Sequence, residues 1–184
     1  MRIAAHLLVL VLVGCGGPSA APPPPPADPT EAEKLAPEFR ALVDRFNTDT
    51  GAPVITVPEL QRRLAAGERF VLLDTREPFE TAVSTLKGAR PLPPAQVDAA
   101  ALDAPADATV VTYCTAGKRS GDAAVALAKK HGRAVLNLDG GIIAWFNAGG
   151  EVVGPDGKPV QSIHAYYATW ARYVRRREAA VTTR

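Results

Sequence analysis

Cys114 and the five residues after it could form a nucleophile within an anion-binding loop. The segment reads Cys114-Thr115-Ala116-Gly117-Lys118-Arg119. It follows the β-forming run Thr109–Tyr113 and precedes an amphipathic helical pattern. A thiol between a strand end and a helix N-terminus faces backbone N–H groups, which favour the thiolate, as do the cations of Lys118 and Arg119. Gly117 lets the loop bend where a Cβ would obstruct it, so we predict a cradle for a small anion with Cys114 at its base.

Other interpretations of these residues compete with this one. A lone cysteine is more often a small buried hydrophobic residue than a nucleophile. A phosphate-binding P-loop is excluded, because Thr112 stands where the first glycine belongs and Arg119 stands where Ser or Thr belongs. Asp74 and Glu77 could form an acid–base pair, although a carboxylate at a strand end next to Arg76 is more typical of a structural anchor.

The elements that must position this loop alternate between strand and helix. Strands are predicted at 54–57, 70–73, 89–92, 109–113 and 134–138. Helices are predicted at 31–47, from Pro58 to Gly67, at 120–131 and after the turn at 139–141. This alternation predicts a parallel sheet with helices on both faces, in which ligands bind beyond the carboxyl ends of the strands.

The first 14 residues have the layout of an export signal. Arg2 precedes the apolar run Ile3–Val13, which is shorter than the roughly 20 residues that a helix needs to cross a bilayer. The run ends in Leu12-Val13-Gly14-Cys15, which resembles a bacterial lipobox. This resemblance implies that residues 1–14 are a lipoprotein signal peptide and that Cys15 is lipidated and becomes the first mature residue. A plain cleaved signal with an incidental cysteine is the alternative.

A proline-rich stretch follows the lipidation signal. Residues 15–30 include the run Pro22–Pro26, which predicts an extended polyproline II spacer, with a motif for a proline-binding partner as the alternative. Signal, lipid and spacer in this order place the folded part outside the cytoplasm. Gly16 stands where, in the lipoprotein resemblance, an aspartate retains proteins at the inner membrane, so with two membranes we expect the outer one. A thiol there is exposed to oxidation, so keeping Cys114 favours a use for it.

The composition excludes several classes of function. The 184 residues predict one domain with appendages, and 47% hydrophobic residues suffice for a core. The formal net charge of +2 excludes the strongly basic surface typical of nucleic-acid-binding proteins. Two cysteines cannot form a disulfide scaffold or a four-ligand zinc site, and the three histidines are scattered. We therefore expect no metal, no cofactor and no nucleic-acid partner.

Four motifs in order resemble those of rhodanese domains. They are the loop Tyr113–Ser120, the strand end Leu72–Glu77 with its Asp-x-Arg-Glu pattern, the Gly-Ala segment Lys87–Pro93, and Leu138–Gly141 followed by Trp145. The resemblance covers most of Ile55 to Val153. It implies the α/β rhodanese-like fold, with a parallel sheet of about five strands and helices on both faces.

The resemblance also implies sulfur transfer. The Cys114 thiolate would attack the outer sulfur of a small anionic donor such as thiosulfate, and the resulting persulfide would pass its sulfur to cyanide or a thiol. The backbone N–H groups of Thr115, Ala116, Gly117, Lys118 and Arg119 would stabilise the developing charge. The side chains of Lys118 and Arg119 would attract the anion. Arg76 is a candidate either for binding the substrate or for supporting the residues that bind it, and Asp74 is more typical of a structural anchor.

Loop length separates this reaction from related ones. The six-residue loop Cys114–Arg119 resembles that of members acting on sulfur, whereas relatives acting on phosphate or arsenate carry seven residues with arginine last. An oxyanion hydrolase or arsenate reductase is therefore disfavoured. A second alternative is a non-catalytic module of the same fold that binds a partner or carries sulfur passively at the cell envelope.

The regions outside the resemblance are predicted to be helical. The chain divides into a signal peptide (1–14), a lipidated linker (15–30), a helix (31–50), the rhodanese-like domain (51–153) and a C-terminal helical extension (154–184). Apolar and aromatic residues recur at helical spacing across Gln161–Glu178. This helix either packs its aromatic stripe onto the domain or lies on an anionic membrane surface, and it could also contact the N-terminal helix.

Overall fold

The structure is a computed structural model that describes residues 37–175 and 180–184. The predicted signal peptide, the lipidated Cys15 and the proline-rich spacer lie outside the described residues, as does the start of the helix predicted at 31–47. Within the described ranges, no helix is long and apolar enough to cross a membrane.

Five parallel strands form the central sheet, as the sequence predicts. They are β1 (Val54–Ile55), β2 (Phe70–Asp74), β4 (Arg90–Pro91), β5 (Thr109–Tyr113) and β6 (Val135–Leu138). Their order across the sheet is β1-β6-β5-β2-β4, and every neighbouring pair is parallel. Strand β5 therefore lies in the middle of the sheet, and its carboxyl end leads directly into the Cys114 loop.

Helices cover both faces of this sheet. They are α1 (Pro37–Thr50), α2 (Val57–Ala65), α3 (Pro78–Thr81), α4 (Lys118–His131) and α5 (Gly141–Asn147), with a 3₁₀ turn at Pro94–Gln96. One core cluster joins Leu72 and Val111 to residues of α1, α2 and α5, whereas the adjacent strand residues Leu73 and Val110 belong to a second cluster with α4. This alternation along the strands confirms the predicted arrangement of layers.

Local sequence explains where two of these helices begin and end. Thr56 precedes α2, and its hydroxyl accepts a 3.3 Å hydrogen bond from the N–H of Glu59, while Pro58 occupies the first turn. Helix α4 ends at Gly132, which has a left-handed φ of 61°. The preceding turn carries Lys129, Lys130 and His131, which suits the negative end of the helix dipole.

Helix α1 packs against the domain through both polar and apolar contacts. Arg40 forms an ion pair of 2.6 Å with Asp139, and Asn47 donates a 2.7 Å hydrogen bond to the same carboxylate. Phe39 is fully buried, and its ring centroid lies 4.9 Å from that of Tyr173 in the C-terminal segment. The N-terminal helix and the tail therefore contact each other, which the sequence left open.

The predicted C-terminal helical extension is wrong. Strands β7 (Val152–Val153) and β8 (Pro159–Val160) join β3 (Thr85–Leu86) in an antiparallel sheet, and β9 (Ser162–His164) pairs in parallel with β10 (Ala180–Thr182). Among the described residues between β9 and β10, only α6 (Ala168–Ala171) is helical. Tyr166 has a φ of 68°, which interrupts any continuous helix there. The partner strand of β9 is distant in sequence, so periodicity within the segment could not reveal the pairing.

Candidate active site

Cys114 lies at the carboxyl end of the central strand and is 2% exposed. The backbone N–H of Gly117 donates a hydrogen bond of 3.2 Å to its Sγ atom. Helix α4 begins at Lys118, so the N–H groups of its first turn have no acceptor within the helix. Gly117 has a left-handed φ of 110°, a conformation that is readily adopted only by glycine. Cys114 is also the one free cysteine among the residues described.

The turn before helix α5 supports the loop from below. The N–H of Ile142 donates to the carbonyl of Cys114 at 2.9 Å, and the N–H of Ile143 donates to the carbonyl of Thr115 at 3.3 Å. A Cβ on Gly141 would overlap the Cys114 carbonyl oxygen and would lie 2.8 Å from the Thr115 carbonyl. Glycine at position 141 is therefore required for the close approach of this turn to the loop.

Asn137 on strand β6 holds the loop from the side. Its Nδ2 donates to the carbonyl of Gly117 at 2.9 Å, and its Oδ1 accepts from the hydroxyl of Ser120 at 2.6 Å. Asn137 is fully buried. The sequence analysis did not identify this residue, although an amide within the apolar run Val135–Leu138 is a signal for a buried hydrogen-bonding role.

The side chain of Arg119 is held by Glu80 of helix α3. Arg119 donates to both carboxylate oxygens of Glu80, at 2.6 and 2.9 Å, and also to the hydroxyl of Thr115 at 2.9 Å. Thr115 in turn donates to Glu80 at 2.6 Å. Burial would raise the pKa of Glu80, but the hydrogen bonds and charge of Arg119 outweigh it and lower that pKa. Glu80 is a site residue that the sequence analysis missed.

Both cations predicted to attract an anion are paired with carboxylates. Lys118 donates to Asp122 on the next turn of α4, at 2.7 and 2.8 Å, and this pair is partly exposed. Arg119 is paired with the buried Glu80. Negative charge on the sulfur of Cys114 is therefore stabilised chiefly by backbone N–H groups. The exposed ion pair between Lys118 and Asp122 is weak, so Lys118 can leave Asp122 at a small cost in free energy.

Arg76 does not occupy the substrate-binding position proposed for it. It is fully buried, and its guanidinium donates to both carboxylate oxygens of Asp74, at 2.6 and 2.8 Å. A further 2.5 Å hydrogen bond goes to the carbonyl of Ser84. Asp74 also accepts from the hydroxyl of Tyr113 at 2.7 Å. Arg76 and Asp74 therefore anchor the strand ends next to the loop, and substrate cannot reach the guanidinium without unpacking them.

The C-terminal segment approaches the loop on the side of Arg119. The guanidinium carbon of Arg119 lies 4.6 Å from the ring centroid of Tyr166, and the Tyr166 ring stacks on Phe79 at 5.9 Å. Next to these rings is an open cavity of about 530 Å³, which is lined by Glu77, Phe79, His164, Thr183 and Arg184. The aromatic spacing of the tail predicts a helix, and a helical pattern does not indicate that any part of the tail lies beside the site.

No clustered metal ligands accompany the loop. Within the described ranges, no group of three or more histidine, cysteine, aspartate and glutamate side chains could hold a metal ion. What the arrangement offers is a thiol at a helix N-terminus inside a rigid, hydrogen-bonded loop, which suits nucleophilic chemistry on a small substrate.

Known proteins are similar to this chain in sequence and in fold. A "Sulfurtransferase" of Allochromatium vinosum is 40% identical over 98 residues, which cover 53% of this chain and 92% of that protein. A "tRNA uridine(34) hydroxylase" of Bordetella parapertussis is 38% identical over 103 residues, covering 52% of this chain and 42% of the relative. The solution structure of a rhodanese-like domain from Anabaena has a TM-score of 0.51 and 27% identity, covering 55% of this chain and 79% of that domain.

The sequence model of one family matches the part of the chain that builds the site. This model, described as "Rhodanese-like domain", matches residues 56–148, which include the Cys114 loop, Glu80 and the Gly-Gly turn. Helix α1 and the C-terminal segment lie outside the match. The family match, the parallel five-stranded sheet and the sulfurtransferase relative agree, and the chain belongs to the rhodanese-like family.

Proposed function

We propose that this chain is a sulfurtransferase in which Cys114 carries sulfur as a persulfide. The observation that carries the proposal is the 3.2 Å hydrogen bond from the Gly117 N–H to Sγ, at the start of helix α4. This arrangement stabilises negative charge on the thiol sulfur and, after loading, on the terminal sulfur of a persulfide. The sulfurtransferase of Allochromatium vinosum supports the same reaction class.

In the first half-reaction the proposed donor is thiosulfate. The Cys114 thiolate attacks the outer sulfur, an Sγ–S bond forms, and the S–S bond of thiosulfate breaks. The electron pair of the broken bond leaves with sulfite, and the negative charge stays on the terminal sulfur of the persulfide. Backbone N–H groups at the start of α4 are suited to stabilise that charge without moving, because Asn137 and the Gly-Gly turn fix the loop.

In the second half-reaction an acceptor removes the sulfur. Cyanide or a thiolate attacks the terminal sulfur, the Sγ–S bond breaks, and its electron pair returns to Cys114. Thiocyanate or a new persulfide leaves, and the free thiolate is regenerated. This double displacement needs neither a metal nor an external oxidant.

Intact-protein mass spectrometry tests the covalent step. The full chain is incubated with thiosulfate and weighed, in parallel with the Cys114→Ala variant. We expect one added sulfur atom in the unmodified chain and none in the variant. Cyanide should remove that sulfur and release an equal amount of thiocyanate.

Three results would contradict this proposal. If neither thiosulfate nor a polysulfide adds sulfur to Cys114, the transferase function is excluded and a non-catalytic module that binds a partner is favoured. Sulfur loading without turnover, together with an unchanged role of the Cys114→Ser variant in partner binding, would indicate a passive carrier. Hydrolysis of nitrophenyl phosphate that depends on Cys114 would favour the oxyanion hydrolase instead, despite the six-residue loop.

We also propose that lipid on Cys15 holds the chain at a cell membrane, facing the periplasm or the exterior. The support is the sequence Leu12-Val13-Gly14-Cys15 after a short apolar run. Replacing Cys15 by Ser should shift the chain from the membrane fraction to the soluble fraction and abolish the incorporation of labelled palmitate. Unchanged fractionation and labelling would contradict the anchor.

A further inference from the structure

The cavity beside Arg119 is built largely by residues outside the family match. His164, Thr183 and Arg184 of the C-terminal segment form one wall, and Glu77 and Phe79 of the α3 region form the other. The Tyr166 ring connects the cavity to the loop, because it contacts both the guanidinium of Arg119 and the ring of Phe79. The cavity therefore lies on the side of the loop that carries Arg119.

Hydrogen bonds fix the wall that carries Arg184. Its backbone N–H donates to the carbonyl of Tyr166 at 2.7 Å, and its Nη1 donates to the Tyr166 hydroxyl at 3.3 Å. The N–H of Tyr166 donates to Nδ1 of His164 at 3.0 Å. These bonds hold Tyr166 at its left-handed φ of 68°, a conformation that is strained in a residue other than glycine. Such strain persists where the surroundings fix it, as they do here.

The cavity presents one negative and one positive side chain. Glu77 is partly exposed and Arg184 is exposed, and neither has an ion-pair partner among the residues that the structure describes. Burial lowers the pKa of His164, so this imidazole is neutral near pH 7 and adds no charge. Phe79 is 42% exposed and supplies an apolar surface between the charged groups.

We propose that this cavity binds a zwitterionic thiol of the amino-acid class as the sulfur acceptor. The guanidinium of Arg184 would bind the carboxylate of the thiol, and Glu77 would bind its ammonium group, while Phe79 contacts the carbon chain. A volume of about 530 Å³ accommodates cysteine or a short cysteine-containing peptide. The inference rests on the proposed function, because it identifies the acceptor of the Cys114 persulfide.

The transfer step balances without another reactant. The acceptor thiol loses its proton to water, and its thiolate attacks the terminal sulfur of the persulfide. A new S–S bond forms, the Sγ–S bond breaks, and Cys114 keeps the electron pair. The acceptor leaves as its own persulfide, so the sulfur changes carrier with no net oxidation.

Three acceptor thiols with different charged groups test the proposal. They are L-cysteine, which has both groups, cysteamine, which lacks the carboxylate, and 3-mercaptopropionate, which lacks the ammonium. The full chain is loaded with thiosulfate, and sulfur transfer to each thiol is measured for the unmodified chain and for the variants Arg184→Met and Glu77→Gln. Each thiol is compared with itself across variants, so differences in intrinsic nucleophilicity cancel.

The two variants should show reduced kcat/KM for different acceptor thiols. Arg184→Met should lower kcat/KM about fivefold for L-cysteine and 3-mercaptopropionate relative to cysteamine, since exposed charge pairs contribute up to this factor. Glu77→Gln should lower it by a similar factor for L-cysteine and cysteamine relative to 3-mercaptopropionate. Arg69→Met is the matched control, because Arg69 is exposed and pairs with Asp107 at 2.9 Å. It should change none of these ratios.

Cyanide as an acceptor separates failure of this inference from failure of the proposed function. Thiocyanate production by the unmodified chain, with thiol selectivity unaltered in both variants, would overturn the acceptor site alone. Absence of both sulfur loading and thiocyanate would overturn the transferase and the acceptor together.

Discussion

At the scale of single residues, Glu80 determines how two side chains of the loop are arranged. Its fully buried carboxylate accepts hydrogen bonds from Arg119 and Thr115, which are the last and second residues of the loop. Arg119 is thereby turned toward helix α3 and stacked on Tyr166. The positive charge at the end of the loop is therefore paired with the buried carboxylate of Glu80.

Replacing Glu80 by Gln tests this role. The substitution leaves the guanidinium of Arg119 without its negative partner, so we expect a loss of about 3 kcal/mol in the free energy of unfolding. Glu59→Gln is the matched control, since Glu59 is exposed and lies 3.6 Å from Arg63, and its loss should stay near about 0.5 kcal/mol. Denaturant unfolding measures both, and equal losses would contradict the assignment.

The ion pair between Glu80 and Arg119 should make the stability of the folded chain depend on pH. The pKa of Glu80 in the folded chain lies below its ordinary value of 4.5, so the stabilisation is complete above that pH. It is lost as the pH falls below 4.5 through the folded value. The difference in free energy of unfolding between the unmodified chain and Glu80→Gln should therefore be largest at neutral pH and should decrease in acid. A difference that is constant with pH would rule out an ionised Glu80 as its source.

Sequence patterns place Cys114 in its loop but do not reveal the residues that fix that loop. Cys114, the loop and the anchor Asp74 were predictable because local motifs encode them. Glu80 and Asn137 were missed because their roles depend on contacts between elements that are distant in sequence. The substrate-binding role of Arg76 is wrong and its supporting role remains, because a local pattern does not reveal whether a cation faces substrate or a buried carboxylate.

At the scale of elements, the turn before α5 sets the position of the loop. Gly141 has a φ of 58°, and its Cα lies against the carbonyls of Cys114 and Thr115. Gly157 has a similar φ of 75° but no atom within 4 Å of the place where a Cβ would be. Substitution of Gly157 should therefore introduce backbone strain alone, whereas substitution of Gly141 should introduce the same strain and also displace the loop.

Alanine at each position makes this comparison. Gly157→Ala should cost about 1 kcal/mol of stability and leave sulfur loading unchanged. Gly141→Ala should pay the same strain and also displace the loop, which lowers the loading rate by about tenfold to a hundredfold. Single-turnover loading from thiosulfate, followed by mass spectrometry, measures the rates. Equal loading rates in the two variants would show that the turn does not position the loop.

Strands and helices of the domain follow from the sequence more closely than the tail does. Five parallel strands lie within a few residues of their predicted positions, because hydrophobic runs mark the strands and glycine or proline residues mark the turns between them. In the tail, aromatic residues at helical spacing gave a false helix. Tyr166 instead stacks on Phe79 and meets Tyr167 edge to face, and β9 pairs with β10.

At the scale of the whole molecule, helix α1 and the tail complete the core of the domain. Phe39 packs on Tyr173, and Phe46 packs on Trp170 at 5.9 Å between ring centroids. Both α1 residues contact the same cluster that covers one face of the sheet. These regions should therefore unfold together with the rhodanese-like domain in one transition.

Truncating Phe39 tests this coupling. Phe39→Ala should cost about 3–5 kcal/mol, as expected for a fully buried aromatic side chain. Leu64→Ala is the control, because Leu64 is 36% exposed on α2, and it should cost about 0.5 kcal/mol. Thermal unfolding that shows a separate early transition for the N-terminal helix would contradict a shared core.

Both ends of the central sheet are strands of only two residues. Val54–Ile55 closes one end and Arg90–Pro91 the other, where proline lacks an N–H and arginine carries a charge. A strand from a second copy would find only a short stretch of backbone to extend. The central sheet is thus protected against edge-to-edge pairing, and crowding many copies together would leave each central sheet separate from the next.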